Sequence, residues 1–151
     1  MMQRFELEAK MVVTRARDQA MRLNHDEVRS EHILLALLAD RGIRDLLIRM
    51  GLTRADVRTA LELRVTRGPR LVIDDIDVAT PEVREVCAAT LEEVDGFGHS
   101  MARSGHLLLG LVKVHEGVAG QVLEELGATV DGARHEVLEH FAELGEGQGA
   151  A

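Results

Sequence analysis

The sequence predicts an all-α fold: two pseudo-twofold four-helix repeats packed as one domain over residues 1–151. Three observations carry this. The stretch Arg29-Ser30-Glu31-His32-Ile33-Leu34-Leu35-Ala36-Leu37-Leu38 returns, altered, as Arg103-Ser104-Gly105-His106-Leu107-Leu108-Leu109-Gly110-Leu111-Val112, and self-similarity of this length marks a duplicated structural unit. Apolar residues recur at three- and four-residue steps, the period of a helix. Aromatics make up 2% of the chain, with Trp and Tyr absent, so the core falls to aliphatic side chains that suit close-packed helices.

The first repeat runs over residues 4–64. Phe5, Ala9, Val12, Val13, Ala16, Ala20 and Leu23 share one face of a long helix, which Asn24 ends because Asn tolerates the left-handed conformation. After Asp26-Glu27-Val28-Arg29, Ser30 is the expected N-cap of a second helix, with Glu31 and His32 in its first turn. Ile33 to Leu38 are apolar nearly all round, which places that helix at the buried centre. Asp40, Arg41 and Gly42 break the pattern. Ile43, Leu46, Leu47 and Met50 then give a short third helix, and Thr53 caps a fourth.

Residues 62–79 connect the repeats. Arg67-Gly68-Pro69-Arg70 is a turn signal, and Leu71 to Val78 reads as an ordered surface linker or, alternatively, a short hairpin. The second repeat spans residues 80–144. Thr80-Pro81 is a start signal, Thr at the N-cap and Pro at the first helical position. Gly96-Phe97-Gly98-His99 stops that helix, Ser104 is expected to cap the next, and Thr129 repeats the cap of Thr53. Residues 145–151 read as a frayed tail.

A net charge of −8 argues against sequence-independent binding to nucleic acid, although Arg64, Arg67 and Arg70 form a local basic cluster. The apolar runs fall far short of the ~20 residues that span a bilayer, and Met1 to Lys10 lack the apolar core of a signal peptide. A lone Cys87 permits no internal disulfide. Together these set the expectation of a cytoplasmic protein with no membrane partner.

Four histidines fall in matched pairs, His25 with His32 and His99 with His106. They invite a metal-dependent hydrolase, but no Cys or carboxylate cluster completes a ligand set, and the repeat itself explains their recurrence. His135 and His140 stand five apart, on different helix faces, unlike the zinc motif His-Glu-x-x-His. Cys87 on an apolar stripe reads as a small buried hydrophobe, and Ser30 and Ser104 as caps before nucleophiles. No enzyme chemistry and no cofactor is expected.

Phe5, Ala9 and Val12, then Leu23-Asn24-His25 and Ser30-Glu31-His32-Ile33-Leu34-Leu35, resemble the first repeat of the Clp (Hsp100) N-terminal domain, most of all in the ClpC-type unfoldases of bacteria. Thr80-Pro81, Gly98-His99, Ser104 to Leu111 and His115-Glu116-Gly117-Val118-Ala119 resemble the second. The resemblance covers residues 3–144. It implies a non-enzymatic module that receives client proteins, degron peptides or adaptors for Clp-dependent proteolysis, and an association with Clp unfoldase subunits. The ATP-binding loop Gly-x-x-x-x-Gly-Lys-Ser/Thr is absent. The divergence between repeats sets the expectation of a free-standing ClpC-like protein rather than an excised domain.

The resemblance also implies sites. In some relatives a glutamate at each helix start, with nearby threonines, holds phosphoarginine on clients. Glu31 matches the first glutamate, beside Ser30, and Thr80 matches the second-repeat threonine, whereas Gly105 and Glu6 depart from the pattern, which implies that at least one pocket is lost. Actinobacterial relatives bind cyclic-peptide antibiotics in a groove whose matching positions are Met2, Val13, Ala79 and Arg84, with Ala79 replacing a Phe. This gives a further alternative, a decoy that sequesters such antibiotics.

Overall fold

The computed structural model describes residues 1–69 and 75–145. Among them the helices are α1 (Leu7–Arg22), α2 (Ser30–Leu37), α3 (Arg41–Arg49), α4 (Arg54–Arg64), α5 (Pro81–Gly96), α6 (Ser104–Lys113), α7 (Val118–Glu125) and α8 (Val130–Glu143). No strand forms among the described residues, and the chain is all-α, with α1–α4 and α5–α8 as the two copies.

The outer helices are amphipathic and the central ones are not. α1 buries Ala9, Val12, Val13, Ala16 and Ala20 on one face. Asn24, at φ 58°, turns the chain off its end as Gly98, at φ 74°, does after α5. α2 and α6 are buried on almost every side, with Ile33, Leu34 and Leu37 in one and Leu107, Leu108 and Leu109 in the other wholly out of solvent. α2 packs on α1 and α6 on α5, and α2 and α6 also touch each other. α3 crosses to α6 and α4 to α7, so the two copies share one continuous apolar cluster.

The copies are also tied by their backbones. The segment before α1 pairs with the entry to α6 through the bridge Phe5–Ala102, with Glu6 N–H donating to the Ala102 carbonyl at 2.8 Å. The segment before α5 pairs with the entry to α2 through Glu27–Asp77, with Val28 N–H donating to the Asp77 carbonyl at 2.8 Å. Each repeat thus fixes the start of the other's central helix.

Those starts correct the cap assignments. The N-caps of α2 and α6 are Arg29 and Arg103, and Ser30 and Ser104 are the first helical residues. The third residue of each helix does the capping. Arg29 N–H donates to His32 Nδ1 at 2.8 Å, and Arg103 N–H to His106 Nδ1 at 2.9 Å. A backbone amide only donates, so Nδ1 of His32 is the bare nitrogen and Nε2 carries the proton. Nε2–H then donates to His25 Nδ1 at 2.8 Å, and His25 Nε2–H to the Thr66 carbonyl at 2.8 Å. The same histidine pair meets in the second copy, His106 to His99 at 2.9 Å. The serine hydroxyls instead reach across the repeat boundary. Ser104 Oγ donates to Asp40 Oδ2 at 2.8 Å, and Ser30 Oγ accepts from Ala119 N–H at 3.2 Å. Asp40 does not merely break a pattern. It caps α3 by accepting from the amides of Gly42 and Ile43, so Arg41 and Gly42 are helical. Thr53, Thr80 and Thr129 cap α4, α5 and α8 as expected.

The connector is only in part a surface linker. Gly68 N–H donates to the Leu23 carbonyl at 2.7 Å, strapping the chain across the end of α1. Ile76 is buried in the core, and Asp77 pairs with Glu27 rather than within the connector. Residue 70 of the turn signal, 71–74 of the stretch read as a linker or hairpin, and 146–151 of the tail lie outside the described residues.

Two stability predictions follow from this packing. Gly110 lets α6 approach α5: a Cβ there would collide with Thr90 Oγ1 and lie 3.0 Å from the Val86 carbonyl oxygen. Gly110→Ala should cost about 1–3 kcal/mol in a urea titration, despite alanine's better helix propensity. Burial, with the nearby His25 and Arg29, pushes His32 down to about 4, and burial, with His99 and Arg103, pushes His106 down to about 3. Both folded values lie below the ordinary 6.5, so the unfolded chain takes up protons first. The stabilisation is whole above pH ~6.5 and drains as pH falls toward the folded values, by roughly 2 kcal/mol per histidine between pH 7 and 5. His32→Gln keeps a side chain able to cap from the third helical position and removes one titration. It should flatten this pH dependence by about half relative to the unaltered chain.

Candidate functional site

α2 begins at the wall of a cleft of about 470 Å³ in the first repeat, lined by the Asn24–Glu27 turn, Arg29, Glu31 and His32, by Arg64 at the end of α4, and by Val65, Thr66, Gly68 and Pro69 after it. Glu31 is 8% exposed, and its Oε1 is shut off from solvent without a hydrogen-bond partner. Burial raises its pKa, and the charge of Glu82 adds to this, while the Glu31 amide, Arg29 and His25 oppose it.

A second buried acid shows what Glu31 lacks. Glu93 is 7% exposed, and burial alone would raise its pKa. Arg134 Nε at 2.6 Å and Lys113 Nζ at 3.0 Å reverse the sign, and its pKa falls below the ordinary range. Glu31 has no such cation. Its neighbours are already engaged: Arg29 pairs with Glu27, and Arg64 with Glu125 and the Gln121 side chain.

The second repeat closes the corresponding space. Gly105 stands where Glu31 does. Counted from the caps Thr53 and Thr129, Phe141 stands where Val65 does. The Phe141 ring lies over His106, with centroids 4.5 Å apart, and a Cβ at 105 would sit 2.9 Å from Phe141 Cζ. What remains is a cavity of about 80 Å³ bordered by Arg103, Ser104, Gly105 and Phe141. The second-repeat pocket is filled by this chain's own ring, an exchange that the contrast of Glu31 with Gly105 hinted at and the position of Phe141 explains.

Several groups that could receive a phosphate near Glu31 already have partners within the chain. Ser30 N–H donates to Glu82 Oε2 at 2.6 Å, and Arg29 N–H to His32. Thr80 Oγ1 donates to the Val28 carbonyl at 2.8 Å and accepts from Val83 N–H at 3.2 Å. Sequence reasoning missed Glu82, whose only signal was a charge beside the Thr80-Pro81 start. Glu6 is exposed at the start of α1 and caps it with no side-chain bond.

Val13 is 6% exposed and belongs to the core, Met2 is half-buried against that core, and Ala79 and Arg84 are exposed, with Arg84 Nε donating to the Ala79 carbonyl at 3.0 Å. No hydrogen bond among the described residues joins Met2 or Val13 to Ala79 or Arg84. Cys87 is buried, and burial pushes its thiol up to about 11, far from a nucleophile's range. His32 has both ring nitrogens in hydrogen bonds, which leaves it none for a metal.

The family model for the Clp repeat (R) N-terminal domain matches residues 4–101 and again 78–151. The chain is 38% identical, in an alignment of 153 positions that covers all of it, to the chloroplastic ATP-dependent Clp protease ATP-binding subunit ClpA homolog CD4B of Solanum lycopersicum. It is 38% identical, in an alignment of 152 positions that covers 99% of it, to the chloroplastic chaperone protein ClpC1 of Oryza sativa subsp. japonica. It spans 16% of the length of each of these relatives. Among solved structures, the N-terminal domain of the ClpD chaperone of Arabidopsis thaliana superposes with a TM-score of 0.70 at 23% identity, covering 94% of this chain and 97% of that one. The duplicated helices, the matched histidine caps and these likenesses agree: the chain belongs to the Clp repeat (R) N-terminal domain family, related to the Clp chaperone and protease system.

Proposed function

We propose that this chain is a non-enzymatic docking module of the Clp system that receives an extended segment of a client protein or a degron peptide in the first-repeat cleft. The observation that carries this is the asymmetry between the copies: the second repeat seals its pocket with Phe141, while the first keeps about 470 Å³ open beside a buried, unpaired Glu31. A fold that required only packing would fill both. The non-enzymatic part is supported by the engagement of the obvious nucleophiles and bases. Cys87 is buried and poorly acidic, Ser30 and Ser104 spend their hydroxyls on Ala119 and Asp40, and His32 is locked as a cap. Membership of the family supports the link to Clp-dependent proteolysis. The relatives are a chaperone and a protease subunit by name.

The test is a titration of isotope-labelled protein with a peptide digest of a denatured protein, followed by amide chemical shifts. Perturbations should concentrate on residues 24–32 and 64–69. Val65→Phe, which imports the ring of the second repeat, should weaken binding at least about tenfold, a loss of roughly 1.4 kcal/mol, without unfolding the helices. Shifts confined to other faces, or none at all, would refute the assignment.

A further inference from the structure

Resting on that docking reading and deepening it, we infer that His25 is a proton-operated latch of the first-repeat cleft. It ties the start of α2 to the cleft's lining after α4, and a proton taken up on its ring opens the tie and weakens docking.

The first support is the count of donors. The relay runs from Arg29 N–H to His32 Nδ1, from His32 Nε2–H to His25 Nδ1, and from His25 Nε2–H to the Thr66 carbonyl, each at 2.8 Å. One end is an amide that only donates, and the other is a carbonyl that only accepts. Between these ends the two rings hold two protons and have no place for a third. Wherever a third goes, two N–H groups meet face to face, so one bond has to break.

The second support is the position of His25. His32 is 1% exposed and caps α2, so the core holds it on Arg29 N–H. His25 is half-buried and lines the open cleft, where water reaches it. The third proton therefore goes to His25 Nδ1, the nitrogen that faces His32. The ring leaves His32, and α2 loses its link to Thr66. Gly68 N–H on the Leu23 carbonyl and Arg67 on the Arg22 carbonyl still hold this segment to the end of α1, so it loosens without leaving.

The third support is the charge around His25. Asp26, Glu27 and Arg29 belong to its own turn, Glu31 and His32 to α2, Arg22 to the end of α1, and Arg64 and Arg67 to the end of α4 and the segment after it. Arg29 is paired with Glu27, Arg64 with Glu125, and Arg67 with the Arg22 carbonyl, while Arg22 is exposed. Beyond the cleft, Asp77 and Glu82 are bonded to the Ala79 and Ser30 amides. Asp26 and Glu31 hold no cation among the described residues, so an imidazolium that leaves His32 has two acids to turn toward. Docking onto the open latch has to re-order the loosened segment and expel the proton, and affinity falls with pH.

The second copy carries the same pair without the cleft. Its small cavity touches neither His99 nor His106, and the rings of Phe97 and Phe141 lie 5.5 and 5.7 Å from His99, where the first copy has Leu23 and Val65.

The experiment follows the imidazole nitrogens and the amides of the full, isotope-labelled chain from pH 7.5 to 6.0, a range in which histidine is the side chain that changes charge. Circular dichroism checks that the helices persist. At pH 7.5 both His25 and His32 should carry the proton on Nε2. As pH falls, His25 Nδ1 should take up a proton. The His32 Nε2 signal and the Arg67 amide, which shares a peptide group with the Thr66 carbonyl, should move with the same midpoint. The concentration of the peptide digest that half-saturates the cleft shifts should rise about two- to fivefold between the two pH values. His25→Gln offers an oxygen to His32 and an amide to Thr66 but does not titrate, so its half-saturating concentration should be equal at both pH values, whatever its size. Proton uptake at His25 without a response at His32 and Arg67, an unchanged half-saturating concentration in the unaltered chain, or the same rise in His25→Gln would each overturn the inference. A digest that docks in the cleft at both pH values with no change at His25 sinks the inference and leaves the docking reading standing. A digest that perturbs no cleft amide at either pH sinks both.

Discussion

The rest of the structure depends on the near-complete burial of α2 and α6. A helix start leaves amide donors without helical partners, and where the start is packed into the core the protein has to supply them. The histidine at the third position supplies one, reaching back to the amide of Arg29 or Arg103. That use fixes the ring's tautomer, and the tautomer fixes the next bond, to His25 or His99. In the first repeat the chain of bonds ends at the Thr66 carbonyl, beyond α4. One buried helix end therefore organises the turn before it and the connector after it. The neutral imidazoles it requires are what make the fold sensitive to acid.

The same constraint joins the copies. Glu82, from the start of α5, serves the amide of Ser30, and Ser30 in turn serves Ala119 at the start of α7. Ser104 serves Asp40 at the cap of α3. Each repeat's helix starts are completed by residues of the other. Asp40 and Gly117, the equivalent N-caps of α3 and α7, show how far the copies have parted: one has a carboxylate, the other has no side chain and packs on Ser30 Oγ.

Much of this was legible in the sequence, because duplication and helical period survive any local change. The apolar faces, the threonine caps, the left-handed turn at Asn24 and the burial of α2 and α6 all follow from residue type and spacing. The serine caps were misassigned because Ser is a good N-cap on average, whereas here the deciding fact is a histidine three residues after Arg29 in an environment without water. Glu31 was visible as a difference from Gly105, but its isolation was not. That depends on where Glu27, Glu82, Arg29 and Arg64 find partners, most of them far away in sequence. The buried Ile76 and the Glu27–Asp77 pairing were hidden for the same reason: two adjacent acids suggest a solvated segment, and only the tertiary partner shows otherwise.

The two pockets are best understood as alternative solutions to one packing problem. With Phe141 in place, position 105 has no room for a side chain, because even a Cβ would lie 2.9 Å from the ring. With Val65 in place, position 31 has room, and a glutamate occupies it. A glutamate at 105 would strike the ring, and a glycine at 31 would enlarge the first-repeat cleft. The ring-and-glycine solution adds apolar contact, the Phe141 ring lying over His106. The valine-and-glutamate solution buries a charge without a partner, which lowers the stability of the chain on its own. Packing therefore explains the second repeat and does not explain the first. The two repeats thus share one fold and differ in whether the space beside the central helix start is closed by a ring or left as a cleft.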